Sequence, residues 1–319
     1  MIIESILIVV FALALDFTAG DPKSKHHPTA WIGSLIAQLT PNAKKLGKLG
    51  GFLLVLAVIA VVLTLLVALD IGINFISVNY IEFIISIIAG SILLKATIAI
   101  RGMEKHALAV IESIDQDKLD VARDKLALIV KRNTKELDKN HILSGVLESV
   151  SENTVDGITG PLFYFALLGL PGAFVYRIIN TIDSMIGYKN PIFKNVGWFG
   201  ANCDKILNYI PARLTAFVMV LSAMIVGVDW KNSYQIMKRD GTKTESLNAG
   251  YPMAALAGAL QTKFEKIDHY SLGEGSFELT KHHIKSAIIL MKMTSIIFCG
   301  IVVIPIIIIL SYIGWWIHA

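Results

Sequence analysis

The chain has 319 residues, 54% of them apolar and 17% charged, against about 45–50% and about 25% in an ordinary soluble domain. That balance excludes a soluble enzyme and indicates an integral membrane protein. The net charge of +4 is small and scattered, so it implies no nucleic-acid partner. The two cysteines, Cys203 and Cys299, support neither a disulfide framework nor a cysteine metal site.

Residues 2–17 are apolar but lack the basic lead of a signal peptide, so they read as a retained first helix, although Thr18-Ala19-Gly20 resembles a cleavage site. A polar stretch from Gly20 to Gly50 follows. Gly20-Asp21-Pro22 reads as a turn, and Pro28 biases His27 towards extended backbone. Spacing alone leaves His26 and His27 open, as a solvated pair or as site residues. Phe52 to Leu69 is an unbroken apolar run and the clearest span, since about 20 residues cross the hydrocarbon. The connector from Asp70 to Tyr80 has no Lys or Arg, and Ile81 to Ile100 reads as the next span. Its Lys95 reads as a residue that snorkels to the headgroups, with no catalytic role. Arg101 to Ser144 reads as a soluble helical excursion with nine basic residues, its buried stripe marked by Leu119, Ala122, Leu126 and Ile129.

Gly145 to Lys189 holds the residues of most interest. Glu148, Glu152 and Asp156 are each four apart, so on a helix they share one face while Leu147, Val150 and Ile158 lie on another. Like charges at this spacing destabilise an isolated helix by roughly 0.2–0.5 kcal/mol per pair. The row therefore asks for a counter-charge, either a bound Mg²⁺ or Arg and Lys from elsewhere. The alternative is a solvated helix face. The apolar segment Leu162 to Ile182 carries Arg177, Asn180 and Thr181, with Asp183 and Ser184 just beyond. Polar groups at that depth normally face a cavity or a partner, so an embedded or re-entrant segment is expected, although Arg177 could also be an interfacial anchor. Asn190 to Asn208 is a polar loop with Asp204. Tyr209 to Val228 reads as a span whose Pro211 suits a helix start, with Arg213 near the interface. Asp229 to Lys285 is a second polar region, and its small-residue run ESLNAGYPMAALAGAL fits close backbone packing or approach to a ligand. Ser286 to Tyr312 is the last span, with Lys292 inside it and Trp315-Trp316 at the far interface.

The expected fold is an all-α integral membrane protein, a single domain over residues 1–319. It has four to five transmembrane helices, an embedded or re-entrant segment, and polar excursions at 101–157 and 229–285. The basic residues place the stretch after the first helix and the first excursion in the cytoplasm, with 70–80 outside.

Several strings resemble the adenosylcobinamide-phosphate synthase family of cobalamin biosynthesis (the CobD/CbiB type). They are Asp16 with Gly20-Asp21-Pro22 and His27-Pro28, ESVSENTVDG at 148–157, Pro161-Leu162-Phe163 and Pro171-Gly172-Ala173. Tyr176-Arg177, NTIDSMIGYK at 180–189, Gly197-Trp198, Asp204, Asn208, Pro211-Ala212-Arg213-Leu214 and Asn248-Ala249-Gly250 complete the set. The resemblance spans nearly the whole chain. Departures fall at Lys131-Arg132-Asn133-Thr134, where the family has Gly-Arg-Asp-Thr, at Cys203-Asp204 in place of two acids, and at Ser246-Leu247-Asn248 in place of Ser-Pro-Asn. The first puts a role for Asn133 in doubt.

The resemblance implies an ATP-dependent amide ligase in the cell membrane that joins adenosylcobyric acid to aminopropanol phosphate or aminopropanol. It implies ATP and Mg²⁺ as cofactors, a corrinoid as substrate, and other membrane enzymes of the pathway as possible partners. No G-x-x-x-x-G-K-[ST] loop is present. Under this reading Glu148, Glu152 and Asp156 hold Mg²⁺, and Asp183 or Asp204 is the base. Arg177, Lys189 and Arg213 hold phosphate or carboxylate, with Asn180, Asn208 and Asn248 beside them and His27 as a further phosphate contact or base. Two other classes are set apart by sequence. An alcohol phosphotransferase should follow Asp-Gly closely with Ala-Arg, whereas Asp156-Gly157 is followed by Ile-Thr-Gly-Pro. A transporter should show inverted repeats with matching broken helices, and none is visible.

Overall fold

The computed structural model describes residues 2–20, 27–76 and 78–315. Asp21, Pro22, His26 and Trp316 lie outside the described residues. In chain order the helices are α1 (Ile2–Ala19), α2 (Pro28–Lys45), α3 (Gly47–Asn74), α4 (Asn79–Lys95), α5 (Ile100–Asp115), α6 (Leu119–Ala127) and α7 (Lys139–Thr154). They continue as α8 (Gly160–Ile186), α9 (Trp198–Leu207), α10 (Tyr209–Val226), α11 (Trp230–Asp240), α12 (Gly250–Ala259), α13 (Lys281–Phe298) and α14 (Ile304–Tyr312). Five-residue π-turns join α7 to α8 (Val155–Thr159) and α13 to α14 (Cys299–Val303). A short antiparallel hairpin pairs β1 (Lys263–Lys266) with β2 (Tyr270–Gly273).

The all-α membrane class read from the sequence holds. Among the described residues six helical runs are long and apolar enough to cross a bilayer: Ile2–Ala19, Gly47–Asn74, Asn79–Asp115, Lys139–Ile186, Tyr209–Val226 and Lys281–Tyr312. Packing divides the chain into two compact units. The first is Met1–Ala99, Gly160–Leu207 and Cys299–Ala319; the second is Ile100–Thr159 and Asn208–Phe298. Both polar excursions fall in the second.

In the first unit, α2 packs on α3, α1 on α4, and α8 against α2, α3, α4, α9 and α14. Ile32, Ile36, Leu54, Val55, Val58, Phe174, Ile178 and Ile182 form its core. The stretch 20–50, read as merely polar, contains α2. Its helix starts with Pro28 at the first turn and with His27 as cap, whose Nδ1 accepts the Thr29 N–H. It buries Ile32, Ile36, Thr40 and Ala43 at helical spacing. The span at 52–69 is longer than expected, since α3 continues through Asp70 to Asn74. Its 28 residues extend about 42 Å. Helix α8, which holds the segment expected to be embedded, is interrupted at Gly169 (φ 64°, ψ −156°), two residues before Pro171. Only glycine visits that backbone region readily, and most residues on either side of the break are buried.

Lys95 does not snorkel. The span read as 81–100 ends in Lys95 at the last turn of α4, where the side chain is buried and its ammonium lies 3.5 Å from the carboxylate of Asp16, which is fully buried. Gly90, one turn earlier, admits Ile8 of α1, whose Cδ1 would stand 2.6 Å from a Cβ there. The two helices thus approach closely enough to enclose the pair.

In the second unit, α7 is the central helix, packed by α5, α6, α12, α13 and β1, while α10 packs on α11, α12 and α13. Ala122 and Leu126 are fully buried, as the stripe predicts. Helix α12 is the small-residue run, and close backbone packing explains it: a Cβ on Gly258 would stand 2.6 Å from the Asn232 carbonyl. The hairpin is not foreseen from sequence. Asp240, fully buried at the end of α11, accepts the Gly273 N–H at 2.9 Å and pairs with Arg239 and Lys243, each at 2.6 Å. Burial works against its ionisation, but Arg239, Lys243 and the Gly273 amide outweigh it and hold its pKa at about 2. Lys292 of α13 pairs with Glu104 of α5 at 2.6 Å.

Removing one member of a buried ion pair costs about 3–5 kcal/mol, whereas replacing both with apolar residues is often near neutral. Asp16→Leu alone is therefore expected to lower the thermal unfolding temperature of the detergent-solubilised protein strongly. Asp16→Leu with Lys95→Met should recover most of that loss. Equal or additive losses would contradict a coupled pair.

Candidate active site

Helix α7 begins at Asp138, whose carboxylate accepts the His141 N–H at 2.9 Å, and from Ile142 to Ser151 every residue is buried. A carboxylate there needs neutralising, and Glu148 is neutralised from three directions. Arg132, from the loop between α6 and α7, donates to Oε1 at 3.0 Å; Ser144, one turn back, donates to Oε1 at 2.9 Å. Tyr270 of β2 donates to Oε2 at 2.7 Å. Burial pushes the Tyr270 hydroxyl's pKa up, and the charge of Glu148, with a contribution from Glu152, pushes it further, so it remains a protonated donor. Gly145 makes room for the arginine, since a Cβ there would stand 2.7 Å from Arg132 Nη2. Ser144 also accepts the Glu265 N–H at 2.8 Å, which ties β1 to the same turn.

Much of the ESVSENTVDG block is thus explained by folding. Ser149 donates to the Ile129 carbonyl, Ser151 and Thr154 bond their own helix, and Asn153 bonds back to Ser149. At the end of the π-turn, Thr159 meets Thr215 of α10 at 2.6 Å. Of the other two acids, Glu152 is exposed and Asp156 is half-buried on the π-turn. Single-turn π-bulges inside helices occur often at functional sites. Among the described residues no three His, Cys, Asp or Glu side chains converge as a metal site. Of the three carboxylates expected to hold Mg²⁺, Glu148 is the one whose two oxygens both accept hydrogen bonds within the protein, from Arg132, Ser144 and Tyr270.

The same unit holds Arg213, Asn208 and Asn248. Asn208 is buried just before α10. Arg213, on the first turns of that helix, lies with its guanidinium carbon 3.6 Å from the Tyr209 ring centroid and 4.6 Å from that of Tyr251. It donates to the Tyr209 carbonyl at 2.7 Å and to Asn248 Oδ1 at 3.3 Å. Two residues picked from separate motifs, 35 positions apart, are thus in contact. The turn carrying Asn248 is held without the family's proline: Ser246 Oγ accepts the N–H groups of Asn248 and Ala249.

The other six expected site residues belong to the first unit. Asn180, buried on α8, donates to Asp204 Oδ1 on α9 at 3.2 Å. Beside it, burial and then the Asp204 charge push the Cys203 thiol's pKa up. Arg177 is half-buried, and its carbonyl accepts from Thr181 at 2.7 Å. Asp183 lies against Gly187, where a Cβ would collide with its carboxylate. Lys189 is exposed in the loop after α8. His27 caps α2, so its Nδ1 is committed to that role. Ser144, Tyr209, Tyr251 and Tyr270 carry no motif that marks them in advance. Arg132 does stand in a recognised block, as one of the two members of Lys-Arg-Asn-Thr, with Thr134, that match the family. A polar depression of about 490 Å³ lined by Asp229, Lys231, Asn232, Gln235, Gln261 and Glu274 includes none of the expected residues.

A family model described as CobD/Cbib protein matches residues 9–291. The probable cobalamin biosynthesis protein CobD of Methanothermobacter thermautotrophicus is 37% identical over 295 residues, covering 92% of this chain and 96% of its own length. The protein of the same description from Methanococcus maripaludis strain C7 is 39% identical over 282 residues, with 86% and 91% covered. The cobalamin biosynthesis protein CobD of Dehalococcoides mccartyi is 34% identical over 296 residues, with 91% and 93% covered. No solved structure matches.

The division of the carboxylate row has a direct consequence. Glu148→Gln removes the buried member of the pair, leaves the partly buried Arg132 without its counter-charge and should destabilise by about 3–5 kcal/mol. Glu152→Gln, at an exposed position, should stay within about 0.5 kcal/mol of wild type. Thermal unfolding of both variants in one detergent measures the difference; comparable stability would contradict the structural role of Glu148.

Proposed function

This chain belongs to the CobD/CbiB family of cobalamin-biosynthesis proteins, and on that premise we propose that it is an adenosylcobinamide-phosphate synthase. In this reading it is an ATP-dependent ligase of the cell membrane that forms the amide between adenosylcobyric acid and aminopropanol phosphate or aminopropanol. A corrin carboxylate is a poor acyl donor until phosphorylated. The reaction therefore runs in two parts: the carboxylate takes the γ-phosphoryl group of ATP and releases ADP, then the amine attacks the acyl carbon and releases phosphate. The amine loses a proton as it attacks.

The observation that carries the proposal from pathway to reaction is the division of the carboxylate row. Glu148 is neutralised within the fold, whereas Glu152 and Asp156 stand at and beside the π-turn. Mg²⁺ is typically held by one or two carboxylates together with substrate phosphates, and Glu152 with Asp156 fits that donor set; Glu148 does not. When bound there, Mg²⁺ supplies charge neutralisation to the transferring phosphoryl group. Arg213 is the cation for phosphate or carboxylate in the same unit. Its contacts with Tyr209, Tyr251 and Asn248 hold the guanidinium in one orientation, as bidentate recognition requires. The Asn208 carbonyl accepts the Ala212 N–H in the first turn of that helix, and its side chain is a further proposed substrate contact. In the first unit, taken by itself, the resemblance makes Asp204, which accepts from the Asn180 amide, the proposed base, with Asp183 as the alternative, and Arg177 and Lys189 further anion contacts. His27, whose Nδ1 accepts the Thr29 N–H, is a further phosphate contact or base in this reading.

The purified protein, supplied with adenosylcobyric acid, aminopropanol phosphate and MgATP, is expected to form adenosylcobinamide phosphate with ADP and phosphate. Glu152→Gln and Asp156→Asn should insert normally and lose about 10²–10³ in rate, the size of one transition-state electrostatic contact. Raised Mg²⁺ should partly rescue the milder variant. Near-normal rates in both would return the row to a solvated helix face, and no product from wild type with either amino alcohol would overturn the ligase assignment.

A further inference from the structure

We propose that the first unit carries a binding surface for anionic phospholipid headgroups, formed where the end of α2 and the start of α3 meet the loop before α9. The charge distribution is one-sided. Residues 22–69 and 184–203 contain no Asp or Glu, and between them they present Lys44, Lys45, Lys48 and Lys194, all exposed. The flanking acids, Asp183 and Asp204, lie outside both runs.

Packing makes these segments one surface. A Cβ on Gly51 would collide with the Val196 carbonyl, so the loop rests directly on the start of α3. Phe52 of α3 meets Phe199 of α9 edge-on, with centroids 5.0 Å apart. On this base Lys44 Nζ lies 4.3 Å from the Phe193 ring centroid and Lys48 Nζ 4.7 Å from that of Trp198, both within cation–π range. Among the described residues, Lys44 and Lys48 are therefore placed over rings rather than engaged by carboxylates.

The level of the surface favours a lipid as its occupant. Lys48 precedes the apolar run that begins at Phe52 by about one helical turn, roughly 6 Å, which puts the lysines at headgroup depth. Trp198 and Ile192 are 48% and 64% exposed beside them, an amphipathic aromatic and an aliphatic side chain suited to the interface. Four cations with apolar neighbours and no acid in either run complement a phosphodiester above acyl chains. A basic residue near an anionic membrane surface contributes about fivefold in affinity.

The test measures phospholipid retained by the full-length protein after purification from membranes that contain both phosphatidylglycerol and phosphatidylcholine. Wild type should retain phosphatidylglycerol in excess of its membrane fraction. Lys44→Gln or Lys48→Gln should each lower that excess about fivefold, and the double variant more than tenfold. Lys44→Arg with Lys48→Arg should retain it, which separates lost charge from lost fold. Equal retention of the two lipids, or retention unchanged in the double Gln variant, overturns the proposal. Displacement of the lipid by inorganic phosphate or ATP at low millimolar concentration also overturns it, by assigning the surface to a free phosphate ligand.

Discussion

A carboxylate cannot remain ionised inside a helix enclosed on every side unless other groups supply the charge and hydrogen bonds that water would. Glu148 stands in that position on α7, and the second unit converges on it. Arg132 reaches it from the preceding loop, Ser144 from one turn back and Tyr270 from the hairpin. Each donor also anchors the element that brings it. The loop after α6 is drawn in by Arg132 and by the bond from Ser149 to Ile129, and the hairpin by Tyr270 and by the Glu265 amide on Ser144. Asp240 pins the far end of β2 with a second buried carboxylate. Because these contacts fix α7, the π-turn that follows it is fixed too, and with it Asp156.

This arrangement explains why a motif dense in polar residues sits on a buried helix. Ser149, Ser151, Asn153 and Thr154 satisfy backbone or one another, and Gly145 exists for the arginine head. Glu152 is exposed and Asp156 is half-buried on the π-turn, unlike the enclosed Glu148. In the second unit, the residues proposed to bind metal and phosphate are carried together with the neutralised acid, so its contacts would also support the groups next to it.

How much of this can be read from sequence depends on the distance over which the physics acts. The span in α3 and the start of α10 at Pro211 follow from local composition, and the i, i+4 row and the stripe at Ala122 and Leu126 follow from helical period. Partnership does not. Tyr270 is 122 positions from Glu148, and Asp16 is far from Lys95 in the chain, so Lys95 near a helix end looks like a snorkelling residue until α1 is seen beside it. Helix α2 is masked by Pro28 and Pro41 and by low overall hydrophobicity, although its buried face keeps the helical period. The four-residue strands of the hairpin are too short to leave a reliable alternation. The contact of Arg213 with Asn248 is intermediate: both residues stand in recognised blocks, but the two tyrosines that hold the guanidinium do not announce themselves.

The proposed ligase function depends on activation of the corrin carboxylate by phosphoryl transfer before the amine attacks. Oxygen labelling tests that step. With both oxygens of the reacting carboxylate of adenosylcobyric acid labelled with ¹⁸O, turnover with unlabelled ATP and aminopropanol phosphate should place one label in the released phosphate and leave one in the amide carbonyl. Amide formation with no label in phosphate, or with the label in AMP, would contradict it.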